Sequence, residues 1–142
     1  MPRHAKRTDE KKKKRKPTIA ALKRKLQVKV NAYVRHRDSK DGYFTCISCG
    51  EKHPASKMNA GHYIPVGRSQ KLRFHEENIH GECQRCNLFD EFHLIPYRKN
   101  LIDKIGIDMV EWLEKHSKEL KQWKREELEE LDIYYTSLLS EA

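Results

Sequence analysis

All four cysteines of this chain fall in two Cys-x-x-Cys pairs, Cys46/Cys49 within CISCG and Cys83/Cys86 within NIHGECQRCN. Sulfurs two positions apart in a tight turn meet one ion at adjacent corners of a tetrahedron, and a second pair completes it. The pattern predicts a structural Zn²⁺ held by Cys46, Cys49, Cys83 and Cys86, closed to water and so without chemistry of its own. Disulfide or redox chemistry is the competing reading, but nothing resembles the secretory signal peptide that an oxidising compartment would require. Three more candidates keep fixed offsets from these pairs. His62 stands in AGHY, Asn78 lies five residues before Cys83, and Asn87 directly follows Cys86. A neutral imidazole accepts a proton from water near pH 7. A carboxamide oxygen helps hold a divalent cation, which neutralises charge on a phosphoryl transition state. Taken singly, each has a plainer reading: a hydrogen-bonded structural histidine, a turn asparagine and a helix N-terminal asparagine. Together they point to phosphodiester hydrolysis, with the His62 imidazole and the Asn87 carboxamide facing each other across a hairpin and a helix.

Those side chains need a scaffold, and the spacer supplies one. Thirty-three residues separate Cys49 from Cys83, too many for a simple two-knuckle ribbon. Lys57–Ile64 reads as a β-hairpin arm, followed by a polar turn at Gly67-Arg68-Ser69. Beyond the second knuckle, Leu88, Phe89, Phe92 and Ile95 fall at helical spacing. Knuckle, hairpin and helix in that order outline an α+β treble clef, flanked by helices.

With 142 residues there is room for one modest domain and extensions, read here as a basic arm (1–17), a basic helix (18–40), a zinc-bound core (41–105) and a helical extension (106–142). The 36% of charged residues nearly matches the 37% of apolar ones, so the core is small and a structural metal compensates. No apolar run is long enough to cross a bilayer. A net charge of +9 calls for an acidic partner, nucleic acid before anionic membrane. Most of that charge sits in residues 1–17, with nine basic residues against Asp9 and Glu10. Lys12, Lys13, Lys14 and Arg15 are expected to lie along phosphates, the plainer alternative being a solubilising tail. Pro17-Thr18 opens a helix whose stripe is Ile19, Leu22, Leu26, Val30, Tyr33 and Val34, ending near Asp38. Asp41-Gly42 then turns the chain into a strand at 43–45. Pro96 is expected to end or bend the helix before it, and Gly106 to break the next. Asp108 and Glu111 form a capping box for a helix with Met109, Val110, Trp112 and Leu113 inside. A net acidic helix from about Lys124 is expected to fold back on the domain or to join two copies.

The order His62, Asn78, second Cys-x-x-Cys, Asn87 resembles the HNH nucleases of the His-Me finger (ββα-metal) superfamily in their zinc-stabilised form. That resemblance implies His62 as general base, Asn78 as the residue that pins the loop and Asn87 as a ligand of the catalytic Mg²⁺ or Mn²⁺. The chain departs from the pattern at Gly61, where the superfamily commonly has an Asp or His that also binds the metal. Asp90, and after it Glu82, are the candidate substitutes. His53, His75, His80, His93 and His116 read as structural or surface residues. A wider run, YVRHRD, CISCG, AGHY, LRF, NIHGECQRCN, PYRKNLIDKIG and VEWLE over about residues 18–115, resembles the bacteriophage NinG (Rap) recombination-endonuclease family. This implies a structure-selective endonuclease acting on Holliday junctions and D-loops in the cytoplasm of a bacterial host. Symmetric resolution of a junction requires two active sites, which makes a homodimer attractive without the sequence deriving one. Arg68, Lys71, Arg73, Arg85 and Arg98 are the expected phosphate contacts. The alternatives are a non-catalytic zinc module that binds nucleic acid, and an HNH nuclease acting on ordinary duplex.

Overall fold

The computed structural model describes residues 15–141. The expectation for Lys12, Lys13 and Lys14 lies outside the described residues. The described residues fold as a mixed α+β domain with four helices and two small two-stranded antiparallel sheets. Helix α1 spans Ile19–Asp38; Thr18 caps it, its Oγ1 accepting the Ala21 N–H at 3.1 Å. Strands β1 (Tyr43–Thr45) and β2 (Lys52–Pro54) flank the first cysteine pair. Strand β3 (Met58–His62) pairs with β4 (Ile79–Cys83) in the register Asn59↔Glu82, Gly61↔His80 and His62↔Ile79. Helices α2 (Leu94–Ile105), α3 (Ile107–His116) and α4 (Arg125–Ser140) complete the chain.

Three small cores hold these elements. Leu26, Val30 and Val34 of α1 pack with Leu128 and Tyr135 of α4 over Phe74 and Ile79. The acidic C-terminal helix thus folds back on the basic one, with Lys29 bonded to Asp132 at 2.6 Å. The Tyr135 hydroxyl donates to the Phe74 carbonyl at 2.6 Å, tying α4 to the β3–β4 connection. A second core joins Tyr97 and Leu101 of α2 to Val110 and Leu113 of α3, beneath Ile47, Tyr63 and Leu72. The third gathers Phe44 and Met58 around the cysteines.

Three expectations from the sequence are corrected. Residues 88–95 do not form one buried helix: Arg85–Phe89 is a wide π-helical turn closed by Asp90 N–H to the Arg85 carbonyl (3.1 Å), and α2 begins only at Leu94. Leu88, Phe89, Phe92 and Ile95 are exposed. Pro96 accordingly stands in the first turn of α2, where its missing N–H has no intrahelical partner to lose, so it opens the helix instead of ending one. Asp108 is not an N-cap; Gly106, at φ 89°, holds that position without a side-chain cap, and Asp108 lies in the first turn. Gly106 does separate α2 from α3, since its positive φ takes the chain out of the helical region.

Candidate metal and nuclease site

The four cysteine sulfurs converge, all lying within 4.8 Å of one another, with Cys49 and Cys83 at 4.0 Å. Four sulfurs about 2.3 Å from one Zn²⁺ are about 3.8 Å apart, so the donor set and its spread fit a tetrahedral zinc. None of the four is in a disulfide. The β1–β2 turn brings Cys46 and Cys49 together, and the Cys49 and Cys83 N–H groups point at Cys46 Sγ, at 3.5 and 3.2 Å. Burial pushes the Cys46 thiol up to about 11 and raises Cys86 as well. Burial opposes the shift at Cys49, but hydrogen bonds, His53 foremost, bring it down to about 7. Buried thiols so crowded are comfortable as thiolates only around a cation.

His62 closes β3, half-buried. Its Nε2 lies 2.9 Å from the Arg73 carbonyl oxygen. A carbonyl only accepts, so Nε2 carries the proton and Nδ1 keeps its lone pair. Burial, the largest influence, lowers the imidazole below its ordinary value of 6.5, which keeps it neutral at pH 7. Asn78 is fully buried. Its Nδ2 donates to the carbonyls of Ile64 (3.0 Å) and Leu72 (3.2 Å), and its Oδ1 accepts the Ile64 N–H at 2.9 Å. Both ends of the connection from β3 to β4 are thereby fastened, and Arg73 is held where it meets His62.

Asn87 sits in the π-helical turn, with its Oδ1 3.3 Å from where a Cβ of Gly61 would stand. Successive strand residues point to opposite faces, so His62 leaves β3 on the face opposite to that direction. No hydrogen bond joins His62 to Asn87 among those found, and the expected face-to-face meeting is replaced by two groups on either side of one strand. Asp90 is exposed, its Oδ1 accepting the Phe92 N–H at 2.9 Å in the loop before α2. The carboxylate that reaches Gly61 is instead Glu82, fully buried on β4. The sequence ranks it below Asp90, which stands one helical step beyond Asn87, and burial of an acid is not visible in spacing. His93, expected to be a structural or surface residue, has its Nδ1 2.5 Å from Glu82 Oε2.

His80 is structural. Its Nε2 bonds the Glu77 carbonyl (2.8 Å), and its Nδ1 accepts from Lys104 (2.9 Å) and Arg37 (3.2 Å). Burial above all, then those two cations, holds it down at about 3. Of the expected phosphate contacts, Arg68 is exposed and has no acidic partner among the described residues. Arg85 is exposed 3.9 Å from Glu51, and Arg15 is exposed ahead of α1. Arg73 donates to Gln27 (3.1 Å) and lies over the Phe74 ring. Lys71 is paired with Glu119, and Arg98 makes a two-pronged pair with Glu114 at 3.0 and 2.9 Å, so both share their charge with acids of the fold. Among the described residues no helix is long and apolar enough to cross a membrane.

The family model described as Bacteriophage Lambda NinG protein matches residues 2–142. Among curated proteins, Protein ninG of Salmonella phage P22 is 36% identical over 118 residues, which are 83% of this chain and 56% of that protein. Protein ninG of Escherichia phage lambda is 35% identical, covering 83% and 55%. Protein ninG of Enterobacteria phage H19B is 38% identical over 64% of this chain and 43% of that protein. The chain spans just over half the length of the P22 and lambda relatives. No solved structure matches it. A family match along almost the whole chain, joined to relatives above 30% identity, establishes that the chain belongs to the NinG family of bacteriophage proteins.

Proposed function

We propose that this chain is a divalent-metal-dependent DNA endonuclease of the zinc-stabilised His-Me finger type, with Cys46, Cys49, Cys83 and Cys86 holding a structural zinc in a treble clef. Its substrates are branched recombination intermediates in the cytoplasm of the phage's bacterial host. The observation that carries the reading is the tautomer of His62: a proton fixed on Nε2 by the Arg73 carbonyl leaves Nδ1 free to act as a base. In the proposed reaction, His62 Nδ1 takes a proton from water, whose oxygen attacks phosphorus. The bond from phosphorus to the 3′-oxygen breaks, leaving 5′-phosphate and 3′-hydroxyl ends. Asn87 would hold part of the shell of a Mg²⁺ or Mn²⁺, which would supply charge neutralisation to the phosphoryl group. Of the cations proposed for the DNA backbone, Arg15, Arg68 and Arg85 are exposed.

The test is cleavage of a labelled four-way junction and of the matching linear duplex, with Mg²⁺ or Mn²⁺. Wild type is expected to cut the junction preferentially, and His62→Ala to lose roughly 10² to 10⁴ in rate while still binding DNA. Because burial lowers His62, the rate should hold through neutral pH and fall only at a pH below the ordinary imidazole range. Equal cutting by wild type and His62→Ala overturns the base assignment, and equal cutting of duplex and junction makes it an ordinary duplex nuclease. Gly61 favours a second reading, a non-catalytic DNA-binding zinc module, because it offers no ligand where the superfamily has one. That reading predicts salt-sensitive binding that His62→Ala leaves intact, with no cleavage under any divalent ion.

A further inference from the structure

Glu82 is the one carboxylate in the described chain that is wholly buried and half-satisfied. Its Oε2 takes the Ser48 hydroxyl and lies 2.5 Å from His93 Nδ1. Its Oε1 has no partner at all, and is the single buried side-chain polar atom among the described residues without one. Leaving a buried acceptor empty costs roughly 1–3 kcal/mol, more for a charged group, so something is expected to meet it. The surroundings of Oε1 identify the direction in which it points. A Cβ placed on Gly61 would collide with Glu82 Oε1 and would also stand 3.3 Å from Asn87 Oδ1. The two oxygens therefore flank the space where residue 61 would carry a side chain. At residue 61 the Glu82 carboxylate, from the neighbouring strand, stands against the position where a side chain would begin.

We propose that Glu82 Oε1 and Asn87 Oδ1 are the protein ligands of a divalent cation, with Ser48 and His93 orienting the carboxylate through Oε2. A carboxylate and a carboxamide oxygen, with water completing the shell, form a hard donor set for Mg²⁺ or Mn²⁺. A carboxylate whose second oxygen is fixed by hydrogen bonds is the usual means of orienting such a ligand. The inference rests on the proposed nuclease only for the need for a cation. It assigns the ligand missing from position 61 to β4 and removes Asp90 from the site.

The experiment is titration of the full-length, zinc-loaded chain with Mn²⁺, followed by the electron paramagnetic resonance of the free ion. Wild type is expected to bind one Mn²⁺ beyond the zinc. Glu82→Gln, which keeps the shape and the contacts to Ser48 and His93, should weaken binding at least about tenfold, and Asp90→Asn should not change it. Anomalous scattering from Mn²⁺ in crystals of the wild type should place the ion within about 2.5 Å of Glu82 Oε1, independently of how any variant folds. No bound Mn²⁺, an ion elsewhere, or a Glu82→Gln chain that binds like wild type overturns the proposal. Loss of cleavage is not the readout. Should wild type cut neither junction nor duplex under any divalent ion while Mn²⁺ binding still depends on Glu82, the nuclease reading falls and the cation site stands.

Discussion

The sulfur cluster and the oxygen cluster adjoin in the chain, at Glu82-Cys83 and at Cys86-Asn87, yet they are assembled in different ways. Each half of the sulfur cluster is local: a pair of ligands two positions apart, carried by one tight turn. Only one long-range event, the meeting of the β1–β2 turn with the end of β4, is needed to complete it. The oxygen cluster has no local half. Gly61 comes from β3, Glu82 from β4, Asn87 from the π-helical turn, His93 from the start of α2 and Ser48 from the first knuckle. A site built from five separated positions depends on every junction between them, so the sulfur frame must form for the oxygen frame to exist.

That dependence can be broken at several levels. The largest effect should follow removal of zinc by a chelator, or Cys86→Ser. A structural zinc contributes on the order of 10 kcal/mol in small domains, so the chain should lose its cooperative thermal transition and its helical circular dichroism. If metal-free protein keeps both, the two clusters fold independently and the hierarchy is wrong. Next is Asn78→Ala, which removes three hydrogen bonds of a buried side chain from the β3–β4 connection. About 3 kcal/mol of stability should go in urea denaturation while zinc stoichiometry is unchanged.

A smaller effect is expected from acid. Burial pushes the Asp38 carboxyl up, but the Arg37 guanidinium, Lys104 and the Gly81 N–H together hold it at about 2. A carboxyl depressed in the fold stabilises it above its unfolded value near 4, and that contribution is lost as pH falls through about 2. About 2 kcal/mol is at stake. Asp38→Asn should flatten the stability-against-pH curve over that window, and an unchanged curve would show that the pair with Arg37 is not what secures α1 to β4. The smallest effect belongs to Phe89→Ser on the outer side of the π-helical turn. With 76% of its surface exposed, it should change stability by less than about 0.5 kcal/mol. A larger loss would mean that the turn holding Asn87 is packed on both sides.

Legibility followed the same division. The α1 stripe was readable because a 3.6-residue period needs no tertiary partner to be recognised, and Leu26, Val30 and Val34 are indeed buried. The same rule applied to Leu88, Phe89, Phe92 and Ile95 failed. Their spacing is helical, but the chain closes a π-helical turn and then bends before α2, leaving all four exposed. Periodicity names a face and says nothing of what covers it. At Asp108 the capping signature lost to Gly106, whose positive φ set the boundary two residues earlier.

Spacing alone determined the sulfur frame, the long amphipathic helix and the break at Gly106, because each is written in residues a few positions apart. Tertiary structure decided which acid lies beside Gly61. Burial of Glu82, its orphaned oxygen and the crowding that excludes a side chain at 61 all follow from β3 pairing with β4 and from the turn that brings Asn87 over them. A carboxylate twenty-one positions from the glycine it replaces becomes its neighbour only when two strands close, and no local pattern encodes that contact.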